Sequence, residues 1–496
     1  MTAPRIRKTP EGGAGLGAVV GRHPRPLAIT ALATAFSILG AAAVATGMAA
    51  VPPTADAVAA PETDADLRTP SADPTPDREP SRAGPSSAIA PTRVRTCSIR
   101  TLASDGRLAE FVGVVVNAET GEVLFEKDAS TPARHGSVLK VLTAAVALRV
   151  LGPGYQLQTR VEQGSEPGQI VLVGGGDATL SALAPGQESV YRGAPKLSDL
   201  AAQAVSAYGA ANPDAPEITE VLLDATYWNP ADRWDPSWDP SVVSIGYQSE
   251  VTALQVDGDR QNPAVDTSPR SADPITRAGE AFALALGAAG NPGGRPSVRV
   301  GVASGGAELA VVRSQPVSRL IEKMLMNSDN TLSEMLARVV SKESGFDGSA
   351  ASLTQAYATA LQPYGVALDP GMVIRDGSGL SPLNAVSPLY YARFFDVIAA
   401  GGGDLPVLAA GLPVAGRSGS LANRFVGDAA VARGSVSAKT GWITTAYSLS
   451  GIITAADGTT LTFAFSAIGN VEGSARAALD LLAAGAYRCG DNLTTL

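Results

Sequence analysis

Two cysteines constrain the fold of this chain more than any other feature of its sequence. Cys97 and Cys489 are the only cysteines among 496 residues, and they lie near the two ends of the part whose composition suits a folded protein. Outside the cytoplasm an isolated pair most simply forms a disulfide, and the alternative is two unrelated thiols. A disulfide requires Cα atoms within roughly 7 Å, so we expect the first and last segments of the fold to meet.

The amino-terminal segment predicts that the chain leaves the cytoplasm. Residues 1–25 form a basic tail, and residues 26–51 contain no charged side chain. A charge-free stretch of that length can span a bilayer, and the basic tail before it places the N-terminus in the cytoplasm. We expect residues 26–51 to be a membrane anchor, with cleavage as a signal peptide, and hence secretion, as the alternative.

Composition divides the remainder into a linker and two folded parts. Residues 52–92 are dominated by Pro, Ala, Ser, Thr and Asp, which predicts a disordered linker. Residues 93–152 and 313–490 carry both strand and helix patterns and are expected to form one α+β domain. Residues 153–312, where short strand-like runs are broken by Gly and Pro, are expected to be a large, strand-rich insertion in that domain.

Each end of the folded part shows a hairpin and a helix. Apolar runs at 111–116 and 122–126 predict the first hairpin, and runs at 446–454 and 459–468 predict the second. An antiparallel sheet built from both hairpins would bring the two cysteines together. The helices predicted from apolar periodicity span 137–150, 317–326, 331–340 and 474–487.

Scarce residues exclude several kinds of chemistry. With two cysteines and two histidines, His23 and His135, the chain cannot build a four-cysteine zinc site, an iron–sulfur cluster or a multi-histidine centre, and a Ser-His-Asp hydrolase is nearly excluded. We therefore expect no metal ion and no cofactor. A formal net charge of −9 gives no electrostatic reason to expect nucleic acid as a partner. Only seven lysines stand against 31 arginines, so the position of each lysine is informative.

One of these lysines follows a serine at the start of a buried helix. Ser137 and Lys140 are three residues apart, which puts both side chains on one face of the first turn. Burial and the positive end of the helix dipole both lower the pKa of an ammonium group. A neutral Lys140 could take the proton from the Ser137 hydroxyl, and this would supply the base that a histidine-poor chain lacks.

Two further triplets place polar groups where they could face a cleft. Ser328-Asp329-Asn330 lies between two predicted helices. Lys439-Thr440-Gly441 follows an alternating run that predicts an edge strand. On such a strand a lysine and a threonine can hold a carboxylate, and Gly441 lets an extended peptide approach the backbone.

The three motifs, in this order, resemble those of serine D-alanyl-D-alanine carboxypeptidase/endopeptidases of the penicillin-binding protein 4 type. The runs Leu172-Val-Gly-Gly-Gly-Asp177 and Asp376-Gly-Ser-Gly-Leu-Ser381 strengthen the resemblance, as do the 187 residues between Lys140 and Ser328. The resemblance implies a serine β-lactamase/transpeptidase-like catalytic domain, an antiparallel sheet with flanking helices, that carries a large insertion. It also implies peptidoglycan peptides as substrates and β-lactams as covalent inhibitors, at the extracytoplasmic face of the membrane or in the cell wall.

The resemblance assigns a role to each motif residue. Ser137 would be the acylated nucleophile, Lys140 its base, Ser328 a proton relay and Asn330 a group that orients Lys140 and the substrate amide. On the predicted edge strand, Lys439 and Thr440 would bind the terminal carboxylate. Backbone N–H groups of Ser137 and Trp442 would form the oxyanion hole. A β-lactamase, and a non-hydrolysing β-lactam sensor or cell-wall binding module, remain the alternative functions.

Three other features have two interpretations each. His135 is expected to be a loop residue rather than a second base, because Lys140 already does that work. Asp177 is expected in a glycine turn rather than in a phosphate or metal loop. The tryptophans at 228, 234 and 238 are expected to pack within a loop, with a glycan-stacking surface as the alternative.

Overall fold

One five-stranded antiparallel sheet is assembled from the two ends of the chain. The computed structural model describes residues 94–494, so the predicted basic tail, anchor and linker all lie outside the described residues. The strands, in chain order, are β1 Glu110–Asn117, β2 Val123–Lys127, β3 Gln158–Gln163, β4 Gln169–Gly174, β5 Glu220–Asp224, β6 Ser297–Val300, β7 Glu308–Arg313, β8 Val436–Ile443, β9 Ala446–Thr454 and β10 Thr460–Ile468.

The α-helices surround the sheets. In chain order they are α1 Arg100–Ala103, α2 Lys140–Val150, α3 Leu197–Ala211, α4 Ser241–Ile245, α5 Pro274–Ala288, α6 Val317–Asn327, α7 Asn330–Glu343, α8 Leu353–Leu361, α9 Pro388–Ala400, α10 Leu405–Gly411 and α11 Ala475–Cys489.

The first sheet has the order β2-β1-β10-β9-β8 and confirms the two predicted hairpins. Strand β1 pairs with β10 in antiparallel register, with Val114 opposite Ala464, so an early strand and the last strand lie side by side. Strand β8, which carries Lys439-Thr440-Gly441, forms an edge of the sheet as predicted. An edge strand leaves one row of backbone groups unpaired and available to a peptide.

The ends of the fold meet, as the cysteines predict. Cys97 and Cys489 form a disulfide with Cα atoms 5.5 Å apart, across a sequence separation of 392 residues. The Cys97 backbone adds two hydrogen bonds to the carboxyl-terminal segment, from its N–H to the Asn492 carbonyl (3.2 Å) and from the Thr494 N–H to its own carbonyl (2.8 Å).

A second five-stranded sheet forms between residues 158 and 313, with the order β6-β5-β4-β3-β7. Strands β4, β5 and β6 are parallel, whereas β3 pairs antiparallel with β4 and β7. Parallel neighbours need crossover connections, and α3 and α5 lie on them. These two helices correct the description of this region as broken strand-like runs. The capping signal was present for α5, where Asp273 accepts a hydrogen bond from the Thr276 N–H (3.1 Å) and Pro274 begins the helix.

Helix α2 lies at the centre of the helical layer. Every residue from Lys140 to Leu148 is buried, and the helix contacts α6, α7, α8 and α10. One hydrophobic core joins Val114 of the first sheet, Leu142 of α2 and Leu172 of the second sheet. Because this core is continuous, the insertion packs firmly against the rest of the fold. The exact bounds of the two domains remain a prediction.

Within residues 94–494, no single helix has the length and hydropathy needed to cross a bilayer. Helices α9 and α10 reach the necessary length and hydropathy only when they are taken together, and the pair is bent by 108°.

Candidate active site

Ser137 lies on a tight turn that is pressed between two other segments. Residues Gly136–Leu139 form a 3₁₀ turn directly before α2, so Ser137 precedes the α-helix instead of lying in its first turn, which corrects the prediction. Ser448 Oγ of β9 donates to the His135 carbonyl (2.5 Å) and holds this turn against the sheet. Gly136 has a φ of +51°, and a Cβ atom there would lie 2.9 Å from the Trp442 nitrogen. The turn and β8 are therefore in direct backbone contact.

Lys140 is fully buried, and its ammonium nitrogen faces three oxygen atoms. Nζ lies 2.9 Å from Ser137 Oγ, 2.6 Å from Asn330 Oδ1 and 2.6 Å from the Ser378 carbonyl. Burial lowers the pKa of Lys140 to about 8, although nearby carboxylates, above all Asp376 and Glu334, favour its charged form. Two of the three oxygens carry no proton, so a neutral amine can donate to both and point its lone pair at the Ser137 hydroxyl.

The Ser328-Asp329-Asn330 turn joins α6 to α7 and faces the same point. Ser328 ends α6 with a left-handed φ of +59°, which is unusual for a residue with a side chain. Asp329 caps α7, since its Oδ1 accepts a hydrogen bond from the Leu332 N–H (3.0 Å). The turn thus presents Ser328 Oγ and the Asn330 amide to one cleft.

Lys439 reaches this cleft from the opposite side. It is fully buried on β8, and its Nζ donates to Ser328 Oγ (3.0 Å) and to the Thr440 carbonyl (3.0 Å). Burial, together with the positive charge of Lys140, holds the pKa of Lys439 well below its usual value. Beside it, Thr440 Oγ1 lies 2.8 Å from Ser420 Oγ. Two lysines and four hydroxyls therefore converge within one site.

A cavity of about 600 Å³ opens over these groups. Its lining includes Ser137, Ser328, Asn330, Thr440 and Trp442. The insertion contributes Tyr247, whose ring lies 6.0 Å from that of Trp442 in an edge-to-face arrangement. The structure thus brings together all four motif residues predicted to be catalytic and the edge strand predicted to bind substrate.

A buried acid that the sequence patterns did not indicate holds the floor of the site. Glu334 of α7 accepts hydrogen bonds from the backbone N–H groups of Gly377 (3.1 Å) and Ser378 (2.7 Å). These bonds fix the loop whose Ser378 carbonyl accepts from Lys140. Burial, and then the neighbouring Asp376, raise the pKa of Glu334 to about 7. The sequence around Glu334 indicates this role only weakly, because an acid within an amphipathic helix is ordinarily exposed to solvent.

The Asp376–Ser381 loop shapes the site and does not place a reacting group in it. Asp376 accepts hydrogen bonds from the N–H groups of Gly379 (2.7 Å) and Ser381 (2.6 Å) and from the Trp238 indole (2.8 Å). Gly379 has a φ of +81°, and a side chain there would overlap the Gly136 carbonyl. The loop therefore packs directly beneath the Ser137 turn.

The features with two interpretations are resolved toward packing. His135 is buried, its Nδ1 lies 2.6 Å from Ser466 Oγ, and burial lowers its pKa to about 3, so it is neutral and away from the cleft. Asp177 accepts a hydrogen bond from the Thr179 N–H (2.7 Å) within a turn. Trp228 and Trp238 are both buried, and the half-buried Trp234 packs its ring 5.0 Å from that of Trp238. In the part of the chain that the structure describes, no cluster of three or more His, Cys, Asp or Glu side chains could hold a metal ion.

An activated serine, a buried lysine beside it and a second lysine on an edge strand define a serine acyl-transfer enzyme with a penicillin-recognising, transpeptidase-like fold. A sequence model of the D-Ala-D-Ala carboxypeptidase 3 (S13) family matches residues 96–276 and 258–485. The chain belongs to this family, and it is a serine-type D-Ala-D-Ala carboxypeptidase that acts on peptidoglycan.

Similar proteins agree with this assignment. Carboxypeptidase DacB of Mycolicibacterium smegmatis is 36% identical over 413 residues, which are 82% of this chain and 86% of that protein. The crystal structure of penicillin binding protein 4 from Haemophilus influenzae shares the fold, with a TM-score of 0.63 and 19% identity over 78% of this chain and 97% of the other. A second structure of that protein, complexed with a β-lactam, has a TM-score of 0.60 and 20% identity over the same fractions.

Proposed function

We propose that Ser137 is the nucleophile of this carboxypeptidase and that neutral Lys140 is its general base. The observation that carries this proposal is the distance of 2.9 Å between Lys140 Nζ and Ser137 Oγ, with two carbonyl oxygens taking the other directions of Nζ. A base with a pKa near the working pH combines a large neutral fraction with useful proton affinity. Lys140, with a pKa of about 8, meets that requirement.

Acylation then proceeds by a balanced transfer. Ser137 Oγ attacks the carbonyl carbon of the penultimate D-alanine, and its proton passes to Lys140 Nζ. The N–H groups of Ser137 and Trp442 would stabilise the oxyanion, which fits the close contact between the 3₁₀ turn and β8. The C–N bond breaks as Ser328 passes its hydroxyl proton to the leaving amine of the terminal D-alanine and recovers a proton from the Lys140 ammonium, which leaves Lys140 neutral again. Water later hydrolyses the Ser137 ester and regenerates the enzyme.

The terminal carboxylate would be held at β8. Lys439 and Thr440 lie next to Ser328, at the end of the cleft where the leaving D-alanine would sit. Burial and the neighbouring Lys140 disfavour the ammonium form of Lys439, whereas a bound carboxylate favours it. Substrate would therefore restore the charge on the group that recognises it.

Release of D-alanine tests the nucleophile and the anchor separately. The full-length chain is incubated with a peptide ending in D-Ala-D-Ala, as wild type, Ser137→Ala and Lys439→Ala. We expect Ser137→Ala to release no D-alanine while its thermal midpoint stays near that of wild type. Lys439→Ala should lower kcat/KM by about 10- to 100-fold, mainly through KM, and Lys342→Ala serves as the matched lysine control. Full D-alanine release by Ser137→Ala would remove Ser137 from its proposed role.

We also propose that β-lactams acylate Ser137, as suggested by the β-lactam complex of the structurally similar protein. Nitrocefin separates this from the β-lactamase alternative, because a carboxypeptidase forms a lasting adduct whereas a β-lactamase turns the compound over. Cross-linked muropeptides in the same assay distinguish endopeptidase from carboxypeptidase activity.

For location, we propose the extracytoplasmic face of the membrane, with residues 26–51 as an anchor. The disulfide between Cys97 and Cys489 supports an oxidising compartment. Protease treatment of intact spheroplasts should digest the catalytic part, and the intact mass of the mature chain should include residues 26–51. A mature chain that begins after Ala57 would instead indicate secretion.

A further inference from the structure

Asp329, the middle residue of the Ser328-Asp329-Asn330 turn, is tied to the insertion. Its Oδ1 caps α7, but its Oδ2 accepts hydrogen bonds from Arg260 Nη2 (2.7 Å) and from the Tyr191 hydroxyl (2.9 Å). The side chains of Arg260 and Asp329 are each only 2% exposed. Burial opposes ionisation of Asp329, yet Arg260, with Arg270 nearby, holds the pKa of this carboxyl well below its usual value.

Several contacts besides the one with Asp329 fix the position of the Arg260 side chain. Its Nη1 donates to the Tyr191 hydroxyl (2.7 Å), its Nε donates to the Asp266 carbonyl (3.0 Å), and the guanidinium lies 4.8 Å from the centre of the Tyr191 ring. A guanidinium with most of its N–H groups engaged has little freedom to move.

The turn that presents Arg260 adopts an unusual backbone. Asp257, Gly258 and Asp259 have φ values of +53°, +59° and +57°, and two of the three carry side chains. Non-glycine residues in this region are strained and persist only where the surroundings hold them. Here Asp259 Oδ1 accepts from Ser271 Oγ (2.7 Å) and from Arg277 Nη1 (2.9 Å).

A second contact from the insertion orients Asn330. Its Nδ2 donates to the Tyr247 carbonyl (3.2 Å), which leaves Oδ1 facing Lys140 Nζ at 2.6 Å. The insertion therefore holds the turn at two places, through the Asp329 carboxylate and through the Asn330 amide.

We propose that the insertion is part of the catalytic apparatus, with Arg260 and Tyr191 as positioning residues that set Ser328 and Asn330 through Asp329. The inference rests on the proposed roles of Ser328 and Asn330. The left-handed turn aims Arg260 at Asp329, and Asp329 fixes the turn that carries both of those residues. Loosening this connection displaces the proton relay and the partner of Lys140, and it reaches the Lys439 anchor only through the Ser328 hydroxyl.

The test uses full-length Arg260→Lys, Tyr191→Phe and the double variant Arg260→Gln/Asp329→Asn. Arg260→Lys keeps the charge but loses the planar fork, and Tyr191→Phe removes one hydroxyl. The double variant removes both buried charges together, so neither is left unpaired. The readouts are the acylation rate with a fluorescent penicillin, kcat and KM for D-alanine release, and the thermal midpoint. We expect acylation and kcat to fall about 10- to 100-fold in Arg260→Lys, with KM within about threefold of wild type.

Arg338→Gln is the matched control. Arg338, which is itself buried, forms another ion pair between α7 and the insertion, with the half-buried Asp232, but far along the helix from Asn330. We expect it to lower the thermal midpoint and to leave the acylation rate within about twofold. The proposal is overturned if Arg260→Lys and Tyr191→Phe acylate at the wild-type rate, or if Arg338→Gln loses as much acylation as they do. Labelling of Ser137→Ala by penicillin would instead overturn the nucleophile assignment, so the two failures are distinguishable.

Discussion

At the residue scale, the proposed chemistry depends on the protonation state of Lys140, the base that we propose. Full burial removes the water that would stabilise an ammonium group, while the Asp376 and Glu334 carboxylates behind it limit the loss of charge. The balance places the pKa of Lys140 at about 8, so a substantial neutral fraction exists near neutral pH. A lysine in water, with a pKa of roughly 10.4, would be almost entirely protonated there and could not accept the serine proton.

The first prediction concerns the pH dependence of acylation. Because Lys140 must be neutral to act, kcat/KM should rise with pH, level off above the Lys140 pKa of about 8, and fall about tenfold for each pH unit below it. Lys140→Arg, whose guanidinium stays charged, should lose about 100- to 10,000-fold. Stopped-flow acylation by a fluorescent penicillin between pH 5 and pH 10 measures both. A profile that is flat below pH 8 would remove Lys140 as the base.

The second prediction concerns Glu334. Its negative charge favours the ammonium form of Lys140, so Glu334→Gln should move the midpoint of the pH profile to lower pH. The maximal rate should also fall, because the Gly377 and Ser378 N–H groups bond different oxygens of Glu334 and a glutamine has only one acceptor oxygen. Glu343→Gln, at the exposed end of the same helix, is the control. A midpoint that moves to higher pH would contradict this electrostatic account.

Residue-scale prediction from the sequence succeeded where the relevant groups are near neighbours in the chain. Ser137 and Lys140 are recognisable in the sequence because they are three residues apart. The contact of Lys140 with the Ser378 carbonyl joins residues 238 positions apart, and Arg260 meets Asp329 across 69 positions. Pairings of that kind depend on tertiary packing, so Glu334 and Arg260 could not be found from local pattern.

At the element scale, β8 and the 3₁₀ turn before α2 lie against each other, and each carries groups of the active site. β8 lies at the edge of the sheet, where residues 413–415 pair with residues 436–438 on its outer side, and the Ser137 turn rests against Gly441 and Trp442. The alternating pattern predicted the hairpins and the edge strand correctly. The crossover helices α3 and α5 were missed because their runs of Ala and Gly resemble the loops around them.

The third prediction tests the contact between these two elements. Gly441 does not have a positive φ, but a Cβ atom there would overlap the His135 carbonyl and Ser448 Oγ. Gly441→Ala should therefore destabilise the fold by about 1–3 kcal/mol and lower acylation by at least about tenfold. Gly154→Ala, where nothing lies within 4 Å of the added Cβ, is the control. Chemical denaturation and the acylation rate check the two effects, and a Gly441→Ala variant that matches Gly154→Ala in both would refute the close contact.

At the scale of the whole molecule, the ends of the described fold are joined, and one hydrophobic cluster extends through both sheets. The disulfide joins α11 to the segment before α1, and the insertion contributes to both the core and the cleft. The cysteine positions were enough to predict this closure. How the insertion meets the active site could not be predicted, because its contacts with Asp329 and Asn330 come from loops without periodic patterns.

The fourth prediction concerns that closure. Cys97 and Cys489 are 392 residues apart, so their bond constrains most of the unfolded chain. Replacing both with serine should lower the free energy of unfolding by about 2–5 kcal/mol. Urea denaturation of the oxidised wild type and the double variant measures this difference. The active site lies far from the disulfide in sequence and should keep its acylation rate under native conditions, whereas equal stability of the two proteins would contradict the prediction.

The most direct test of the central claim is to locate the acyl group. The full-length protein is reacted with benzylpenicillin, digested and mapped by mass spectrometry, alongside Ser137→Ala and Lys140→Arg. We predict one adduct on Ser137 in the wild type, none in Ser137→Ala, and strongly delayed formation in Lys140→Arg. An adduct on any other residue, or an adduct that forms on Ser137→Ala, would contradict the account.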